Sequence, residues 1–342
     1  MANGQSSVTK IPLLLLVGPT AVGKSAIALK VAKHIDTDLI SADSAQVYRY
    51  MDIGTAKPSP EEQNEVQHHL INLVNPDQSF SAADYQKAAF KTIKQVWKEG
   101  KLPFMVGGTG LYIRAVTERY AFGQKGASID LRSSYQNIAL TEGLDRLYEH
   151  LKSVDPASAA MIHPNDQRRI IRALEVYTLE GKPISGQVKE TGRLESPYKI
   201  IWFGLKMERD LLYRNIENRV DKMIQQGFLD EVRNLYQLGY RENAPGMQAL
   251  GYRQLLLYLS GELGWDETVA EIKKQTRNLA KRQLTWFRRD AHIEWITITD
   301  YVSINSIIEN ISLKVKDLTS AQANINFDRN RYERSQIDEG HD

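Results

Sequence analysis

Three groups of residues in the sequence could act on a phosphorylated compound. The first is Gly18-Pro19-Thr20-Ala21-Val22-Gly23-Lys24-Ser25, which fits the phosphate-loop pattern in full. In such a loop, glycines let backbone N–H groups converge on phosphate oxygens, Lys24 supplies a positive charge, and Ser25 can ligate Mg²⁺. The segment therefore predicts phosphate binding. It leaves the compound open, because a nucleoside triphosphate and any other diphosphate ester present the same oxygens to the loop.

The second group consists of two short polar segments, Asp43-Ser44-Ala45-Gln46 and Gly107-Gly108-Thr109-Gly110, each of which follows an apolar run. Asp43 could ligate a metal through water or accept a proton, and it could equally cap the next helix. The Gln46 amide can hydrogen-bond to a base edge, adenine above all. The glycine turn could place the Thr109 hydroxyl where it donates to a leaving phosphate oxygen. The apolar run that ends at Val106 leads into glycines and a threonine instead of an acidic metal ligand, which leaves Asp43 as the carboxylate candidate and favours a transferase over a nucleotide-driven motor.

The third group is basic and indicates a nucleic-acid partner. Residues 273–289 contain seven basic residues and no acidic one, Lys281 and Arg282 among them, although the whole chain carries a formal net charge of only +2. On a helix this run could be a solvated face or a surface for phosphates. A second cluster is Gln167-Arg168-Arg169-Ile170-Ile171-Arg172, and Arg253 lies in a glycine-containing loop. Two such basic surfaces could hold a folded RNA, and RNA recognition commonly splays a loop base out of its stack and holds it between side chains.

The elements that must position these residues alternate between strands and helices. Apolar runs at 11–17, 38–42, 102–106 and 199–205 predict buried parallel strands, with an edge strand at 294–298 and a helix from Ser81 to about Lys98. This alternation predicts an α/β fold, a P-loop NTPase-like doubly wound parallel sheet with ligands at the carboxyl ends of its strands and helices following towards the C-terminus.

The domain prediction places one lobe inside the other. Residues 1–119 and 198–319 form a discontinuous catalytic core, and residues 120–197 form an inserted all-helical lobe with helices such as Ile138 to Leu151 and Asp166 to Leu179. A polar tail, residues 320–342, is expected to be mobile.

Composition excludes several classes of site. The 342-residue chain has no cysteine, which excludes disulfides, thiolate zinc sites and cysteine nucleophiles. The adjacent histidines His68 and His69 lack zinc-ligand spacing, so a structural or phosphate-contacting role is expected. The apolar run at 11–17 is far shorter than the roughly 20 residues that a membrane helix needs. The sequence therefore predicts a cytoplasmic protein, with a monomer as the default.

At this point the sequence resembles the bacterial tRNA dimethylallyltransferases, also called isopentenylpyrophosphate transferases. The resemblance runs in order from about residue 11 to 298. Besides the phosphate loop and the two polar segments, it rests on Val47-Tyr48, Asp52-Ile53-Gly54-Thr55-Ala56-Lys57-Pro58, Leu111-Tyr112, His163-Pro164-Asn165-Asp166, Gly251-Tyr252-Arg253-Gln254 and Lys281-Arg282-Gln283-Leu284-Thr285-Trp286.

The resemblance implies transfer of the dimethylallyl group from dimethylallyl diphosphate to the exocyclic amine of the adenosine 3′-adjacent to the tRNA anticodon. It implies Asp43, Thr109 and Lys24 as catalytic residues, Mg²⁺ as cofactor with Ser25 as its ligand, and Gly18 to Ser25 with Arg219 as the diphosphate site. The implied contacts with the anticodon loop are Asp43, Ser44, Ala45, Gln46, Thr109, Arg132, Gln167, Arg168, Arg169, Ile170, Ile171, Arg253, Lys281 and Arg282.

Two alternatives from other functional classes stay open at the level of sequence. An ATP-dependent small-molecule kinase could use the same fold and the same phosphate loop. A non-catalytic RNA-binding protein could retain the loop as a relic.

Overall fold

The fold is described from a computed structural model, which describes residues 10–118, 128–186, 196–299 and 303–316. Within them six strands form one all-parallel sheet in the order β3-β2-β4-β1-β5-β6. The strands are β1 (Ile11–Val17), β2 (Leu39–Ala42), β3 (His68–His69), β4 (Phe104–Gly107), β5 (Tyr198–Met207) and β6 (Glu294–Ile298). The predicted α/β class with a doubly wound parallel sheet is confirmed.

The helices of the described residues surround the sheet or build a separate unit. They are α1 (Lys24–Ile35), α2 (Pro60–Glu65), α3 (Ala82–Lys98), α4 (Gly110–Thr117), α5 (Ile129–Thr141), α6 (Leu144–Val154), α7 (Pro156–Met161), α8 (Gln167–Glu180), α9 (Arg209–Gln225), α10 (Phe228–Gln237), α11 (Tyr252–Leu259), α12 (Trp265–Phe287) and α13 (304–316). The helix predicted from Ser81 is α3, and its start is fixed by a capping box between Ser81 and Asp84.

The central strand β1 has core on both faces because its side chains alternate between two clusters. Leu13, Leu15 and Val17 pack with α3, α4 and α10 to α12, whereas Leu14 and Leu16 pack with α1 and α13. All five side chains have no exposed surface. A continuous apolar run is what a strand covered on both faces requires, so the residues after β1 emerge at a rigid sheet edge.

The chain divides into two compact units, one made of Met1–Thr117 with Ser196–Asp342 and the other of Glu118–Glu195. The second unit holds α5 to α8 around its own core, which includes Leu147, Leu151, Ile170 and Leu174.

Two local predictions of the sequence reading were wrong or incomplete. The continuous helix expected from Ile138 to Leu151 is broken into α5 and α6, because Gly143 between them adopts a left-handed φ of 90°. The short strand β3 was not predicted. It brings His69 Nε2 to 2.9 Å from Asp38 Oδ2, which supports the structural interpretation of that histidine.

The predicted tail, residues 320–342, lies outside the described residues. Across the described ranges no helix is long and apolar enough to cross a membrane.

Candidate active site

The phosphate loop connects β1, the central strand, to the first turn of α1. Gly23 immediately before that helix has a φ of 98°, and Ala21 also adopts the left-handed region with a φ of 63°. Val22 is buried and packs against the core under the loop, while Ser25 at the start of α1 is exposed. The loop therefore has one side anchored in the core and the N-terminus of a 12-residue helix directed at its open side.

Lys24 has a strongly perturbed environment. Its Nζ donates to the carbonyl oxygen of Pro19 at 2.7 Å, which folds the side chain back over the loop. Burial and, to a smaller extent, the charge of Arg219 lower the pKa of Lys24 to about 7, although the carboxylate of Asp43 acts in the opposite direction. An anion that enters the loop would therefore stabilise the charged form of Lys24.

Arg219, on α9, is the second cation of the site. Burial lowers its pKa, and the charge of Asp43 acts to raise it. The guanidinium makes no hydrogen bond or ion pair with any residue of the described ranges, although it is only partly exposed. Five N–H donors that have no partner among the described residues, in a guanidinium close to the phosphate loop, are suited to bind a phosphate group.

Asp43 follows β2 and combines both roles that the sequence left open for it. Its Oδ1 accepts from the backbone N–H of Ala45 at 2.8 Å and, at 3.4 Å, from that of Gln46, which is the capping interaction. Among the described residues its other carboxylate oxygen has no hydrogen-bond partner. The backbone thus fixes the carboxylate and leaves one oxygen available for a proton or a water molecule.

Thr109 joins the second glycine turn to the Asp43 segment. Its Oγ1 accepts from the backbone N–H of Ser44 at 3.0 Å, and its backbone N–H donates to the carbonyl of Ala42 at 3.1 Å. The ends of β2 and β4 are adjacent in the sheet, so these bonds hold the Thr109 hydroxyl next to the residues around Asp43.

Gln46 differs from its predicted role as a base contact. Its Oε1 accepts from Ser41 Oγ at 2.8 Å, and its Nε2 donates to the carbonyls of Ala56 at 3.1 Å and Thr55 at 3.4 Å. Both ends of the amide are engaged in the protein, so the paired hydrogen bonds to adenine expected from the sequence would require these bonds to break. In this structure Gln46 supports the loop.

The turn that Gln46 contacts is itself held by Glu231 of α10. The two carboxylate oxygens accept from the backbone N–H groups of Asp52, Ile53 and Gly54 at 2.7 to 3.2 Å and from Tyr252 Oη at 2.5 Å. From sequence alone, the segment from Asp52 to Pro58 is a family motif without an assigned role. Its role in the structure is to connect the Asp43 loop to the C-terminal helices.

The basic run on α12 is only partly free for phosphates. Lys273 pairs with Asp221 at 2.7 Å and Arg277 with Glu217 at 2.7 Å, while Lys274 pairs with Glu271 one turn away. This part of the run is a solvated face, as one of the two sequence interpretations held. Four cations at the C-terminal end of the run remain exposed and have no ion pair with the described residues: Lys281, Arg282, Arg288 and Arg289. Arg253, at the start of α11, is exposed too.

The sequence-predicted residues of the helical unit fall into two groups. Arg168 and Arg169 are exposed at the start of α8, next to Gln167. Ile170 and Ile171 have 0% and 6% of their surface exposed and belong to the core of this unit, so these side chains leave almost no surface for the RNA contact expected of them. Arg132 donates from Nε and Nη2 to the two oxygens of the buried Glu175 carboxylate at 3.0 and 3.1 Å, which gives this side chain a structural role.

Gln283 of α12 belongs to a family motif in the sequence, but the sequence did not predict it as a site residue. Its amide contacts both glycine-containing loops, with Thr20 N–H donating to Oε1 at 2.8 Å and Nε2 donating to the Gly108 carbonyl at 3.0 Å. Its position beside two basic residues was the only available signal, and helical periodicity alone does not show that it turns towards the sheet edge.

The residues present can accept a divalent cation only together with a ligand. Nowhere in the described ranges do three or more histidine, aspartate or glutamate side chains gather in a way that could hold a metal. Ser25 has an exposed hydroxyl without a hydrogen bond to any described residue, and the free oxygen of Asp43 belongs to the same sheet edge. One hydroxyl and one carboxylate are the small protein set that Mg²⁺ uses when phosphates supply further oxygens.

A phosphate loop after the central strand of a parallel sheet, with its ligand-facing residues at neighbouring strand ends, defines a P-loop protein. Comparison with known proteins narrows this class. The family described as IPP transferase matches residues 46–290. The tRNA dimethylallyltransferase of Moorella thermoacetica is 48% identical over 325 residues, covering 94% of this chain and 98% of that protein. That of Thermoanaerobacter sp. (strain X514) is 48% identical over 303 residues, covering 88% and 96%.

Solved structures agree. The full-length tRNA isopentenylpyrophosphate transferase of Bacillus halodurans has a TM-score of 0.68 and 41% identity, covering 92% of this chain and all of that chain. A eukaryotic dimethylallyltransferase acting on tRNA has a TM-score of 0.72 and 26% identity, covering 85% and 74%. The chain belongs to the IPP transferase family. The prediction of this family, and of a transferase rather than a kinase, is confirmed.

Proposed function

We propose that the protein transfers the dimethylallyl group of dimethylallyl diphosphate to the exocyclic amine of the adenosine 3′-adjacent to the anticodon of tRNA. The allylic carbon–oxygen bond breaks and its electron pair leaves with the diphosphate. The amine nitrogen forms the new bond to that carbon, and its proton passes to the carboxylate of Asp43. The products are the modified adenosine and diphosphate.

The observation that carries this proposal is the combination of two desolvated cations with one partly free carboxylate. Lys24 and Arg219 act on each other and on Asp43 electrostatically. A diphosphate entering the loop would compensate both cations. The free Asp43 oxygen would remain on the side of the acceptor, where a nucleophile sheds a proton.

The leaving group determines most of the chemistry. Negative charge grows on the diphosphate as the allylic bond ionises, and preorganised donors stabilise that charge more than they stabilise the ground state. Lys24, Arg219 and the N–H groups from Gly18 to Gly23 supply such donors in this proposal. The Thr109 hydroxyl, held by Ser44, donates to the same leaving oxygens.

Mg²⁺ is the cation that suits the proposed substrate. It would be bound by Ser25 and by diphosphate oxygens, with Asp43 reached directly or through water. When bound it neutralises charge on the leaving diphosphate. Asp43 keeps its task as proton acceptor where water separates it from the cation, since one carboxylate oxygen is fixed by Ala45 N–H and the other then stays free.

Binding of tRNA is assigned to exposed basic residues in each unit taken separately. In the first unit these are Lys281, Arg282 and Arg253, and in the helical unit they are Arg168 and Arg169 beside Gln167. Ser44 and Ala45 lie next to the proposed proton acceptor and would contact the target base. The proposal includes a monomer that works in the cytoplasm, where its RNA substrate is available.

The direct test uses the purified protein, Mg²⁺, dimethylallyl diphosphate and tRNA that lacks the modification. Nuclease digestion followed by mass spectrometry should detect isopentenyladenosine. A tRNA with guanosine in place of the target adenosine is the matched control and should give none. Absence of product from the adenosine-containing tRNA, with protein that is folded and binds inorganic pyrophosphate, would contradict the proposed function.

A further inference from the structure

Gln283 makes a bridge between the two loops that flank the proposed diphosphate site. Its side chain leaves α12 and reaches Thr20 in the phosphate loop and Gly108 in the turn after β4, which are separated from it by 263 and 175 residues in sequence. Gln283 is partly buried at this position. Each loop follows its own strand, so without a bridge the separation between them depends only on the sheet below.

The chemistry at the two ends fixes which side chain can do this. A backbone N–H is available at Thr20 and can only donate, and a carbonyl is available at Gly108 and can only accept. A carboxamide is both acceptor and donor, and its orientation is unambiguous here because the reverse orientation would oppose two donors and two acceptors. Glutamate would lose the donor, and methionine would lose both functions.

The absence of a side chain at Gly108 leaves the space that the Gln283 amide occupies. A Cβ at that position would lie 2.2 Å from Gln283 Nε2 and 3.4 Å from the carbonyl oxygen of Gly18. A side chain at Gly108 would therefore displace the Gln283 amide from its position between the two loops. Thr109, the residue next to Gly108, carries the hydroxyl assigned to the leaving diphosphate.

We propose that Gln283 is a positioning residue for prenyl transfer, which sets the Thr109 hydroxyl at a fixed distance from the phosphate loop. This inference rests on the proposed function of the same site. Binding of the diphosphate uses the phosphate loop directly, whereas the rate of bond breaking depends on the Thr109 hydroxyl meeting the leaving oxygens. Displacement by about 1 Å can lower a rate on the order of 100-fold.

A double-mutant cycle tests the inference through kcat and KM. Gln283→Met should lower kcat roughly 10- to 100-fold and raise the KM for dimethylallyl diphosphate. In a Thr109→Val background, the same substitution should change kcat by less than about 3-fold while the rise in KM remains. A merely structural role would lower the active fraction equally in both backgrounds.

Gln275→Met is the matched control, because that glutamine lies on the same helix and its amide donates to Glu271, one turn away on the helix itself. It should leave kcat and KM unchanged. Should Gln283→Met fail to fold, Gln283→Glu, which keeps the acceptor for Thr20, takes its place in the cycle. Equal losses of kcat with and without the Thr109 hydroxyl would overturn the inference.

A separate measurement distinguishes failure of this inference from failure of the proposed reaction. Calorimetric titration with Mg²⁺ and inorganic pyrophosphate needs neither tRNA nor turnover, and Gln283→Met should weaken pyrophosphate binding several-fold relative to Gln275→Met. An inactive wild-type protein that shows this difference contradicts the reaction alone. An active wild-type protein without the difference contradicts the role of Gln283.

Discussion

Replacement of Lys24 by methionine should stabilise the free protein while removing its diphosphate binding. Methionine has nearly the length of lysine and no charge. The substitution removes a cation that burial and Arg219 both disfavour, at the cost of one hydrogen bond to the Pro19 carbonyl. Most substitutions at a functional residue are expected to destabilise, so the sign of this prediction is informative.

The size of the effect follows from the pKa of Lys24, which is lowered from 10.5 to about 7 in the folded protein. Between these values the unfolded chain binds the proton that the folded protein has lost, so wild-type stability rises with pH. The destabilisation caused by burying the charged Lys24 is complete below about pH 7 and vanishes above the pKa of lysine in the unfolded chain. Linkage at about 1.4 kcal/mol per pH unit predicts that, between pH 7 and pH 9, the free energy of unfolding of wild type rises by about 2 kcal/mol relative to that of Lys24→Met.

Urea denaturation of both proteins at these two pH values measures the difference directly. Other groups that titrate between pH 7 and 9 are common to both proteins and cancel in the comparison. In a parallel thermal melt at pH 7, Mg²⁺ with inorganic pyrophosphate should raise the melting temperature of wild type and leave that of Lys24→Met unchanged. Lys30, exposed on α1, provides the control substitution Lys30→Met.

A stability difference between the two proteins that does not change with pH would refute the reasoning, because it would mean that Lys24 keeps an ordinary pKa in the folded state. Equal protection of both proteins by pyrophosphate would refute the assignment of Lys24 to the diphosphate.

Three further predictions follow from named contacts. Asp43→Asn keeps the acceptor for Ala45 N–H, so the loop and pyrophosphate binding should stay intact. It removes the proposed proton acceptor, so kcat in the prenyl-transfer assay should fall roughly 10²- to 10⁴-fold. Unchanged turnover would exclude Asp43 as proton acceptor. Joint replacement of Lys281 and Arg282 by alanine should weaken tRNA binding at low salt and reduce the salt slope by about 2, whereas Lys274→Ala, whose cation is already paired with Glu271, should change neither in a filter-binding titration. Glu231→Gln should lower the free energy of unfolding in denaturant by about 1–3 kcal/mol, against at most about 1 kcal/mol for Glu217→Gln in an exposed ion pair. Similar losses for the two variants would contradict a larger stabilising role of Glu231.

The sheet was predictable because its strands are encoded locally. Leu13 to Val17 form an unbroken apolar run, and such a run between turn residues indicates a strand covered on both faces. The helix after Ser81 was equally predictable, because Ser81 is a recognisable N-cap residue; the structure adds its capping box with Asp84. Where the sequence misled, as between Ile138 and Leu151, amphipathic periodicity outweighed a single glycine, although Gly143 ends the first helix.

The candidate site was predictable where spacing along the chain defines it, and obscure where tertiary contacts do. The phosphate loop and the segment at Asp43 can be identified by motif. The engagement of Gln46 by Ser41, Thr55 and Ala56, the pairing of Arg132 with a buried carboxylate, and the bridge made by Gln283 all depend on residues far apart in sequence or on the direction of a side chain. For the same reason, the number of basic residues on α12 does not show which of them are free to bind phosphates, because acidic residues of α9 neutralise part of the basic run.

The order of strands has a consequence for synthesis of the chain. β1 is made first but lies between β4 and β5, so its second edge stays unpaired until its partner residues Tyr198 to Gly204 have been made. Glu231 and Tyr252, which secure the turn at Asp52 to Gly54, are made later still. Residues 118–195, by contrast, form a contiguous unit with a core of their own. On the ribosome we therefore expect the inserted unit to reach its final structure before the core that surrounds it in sequence.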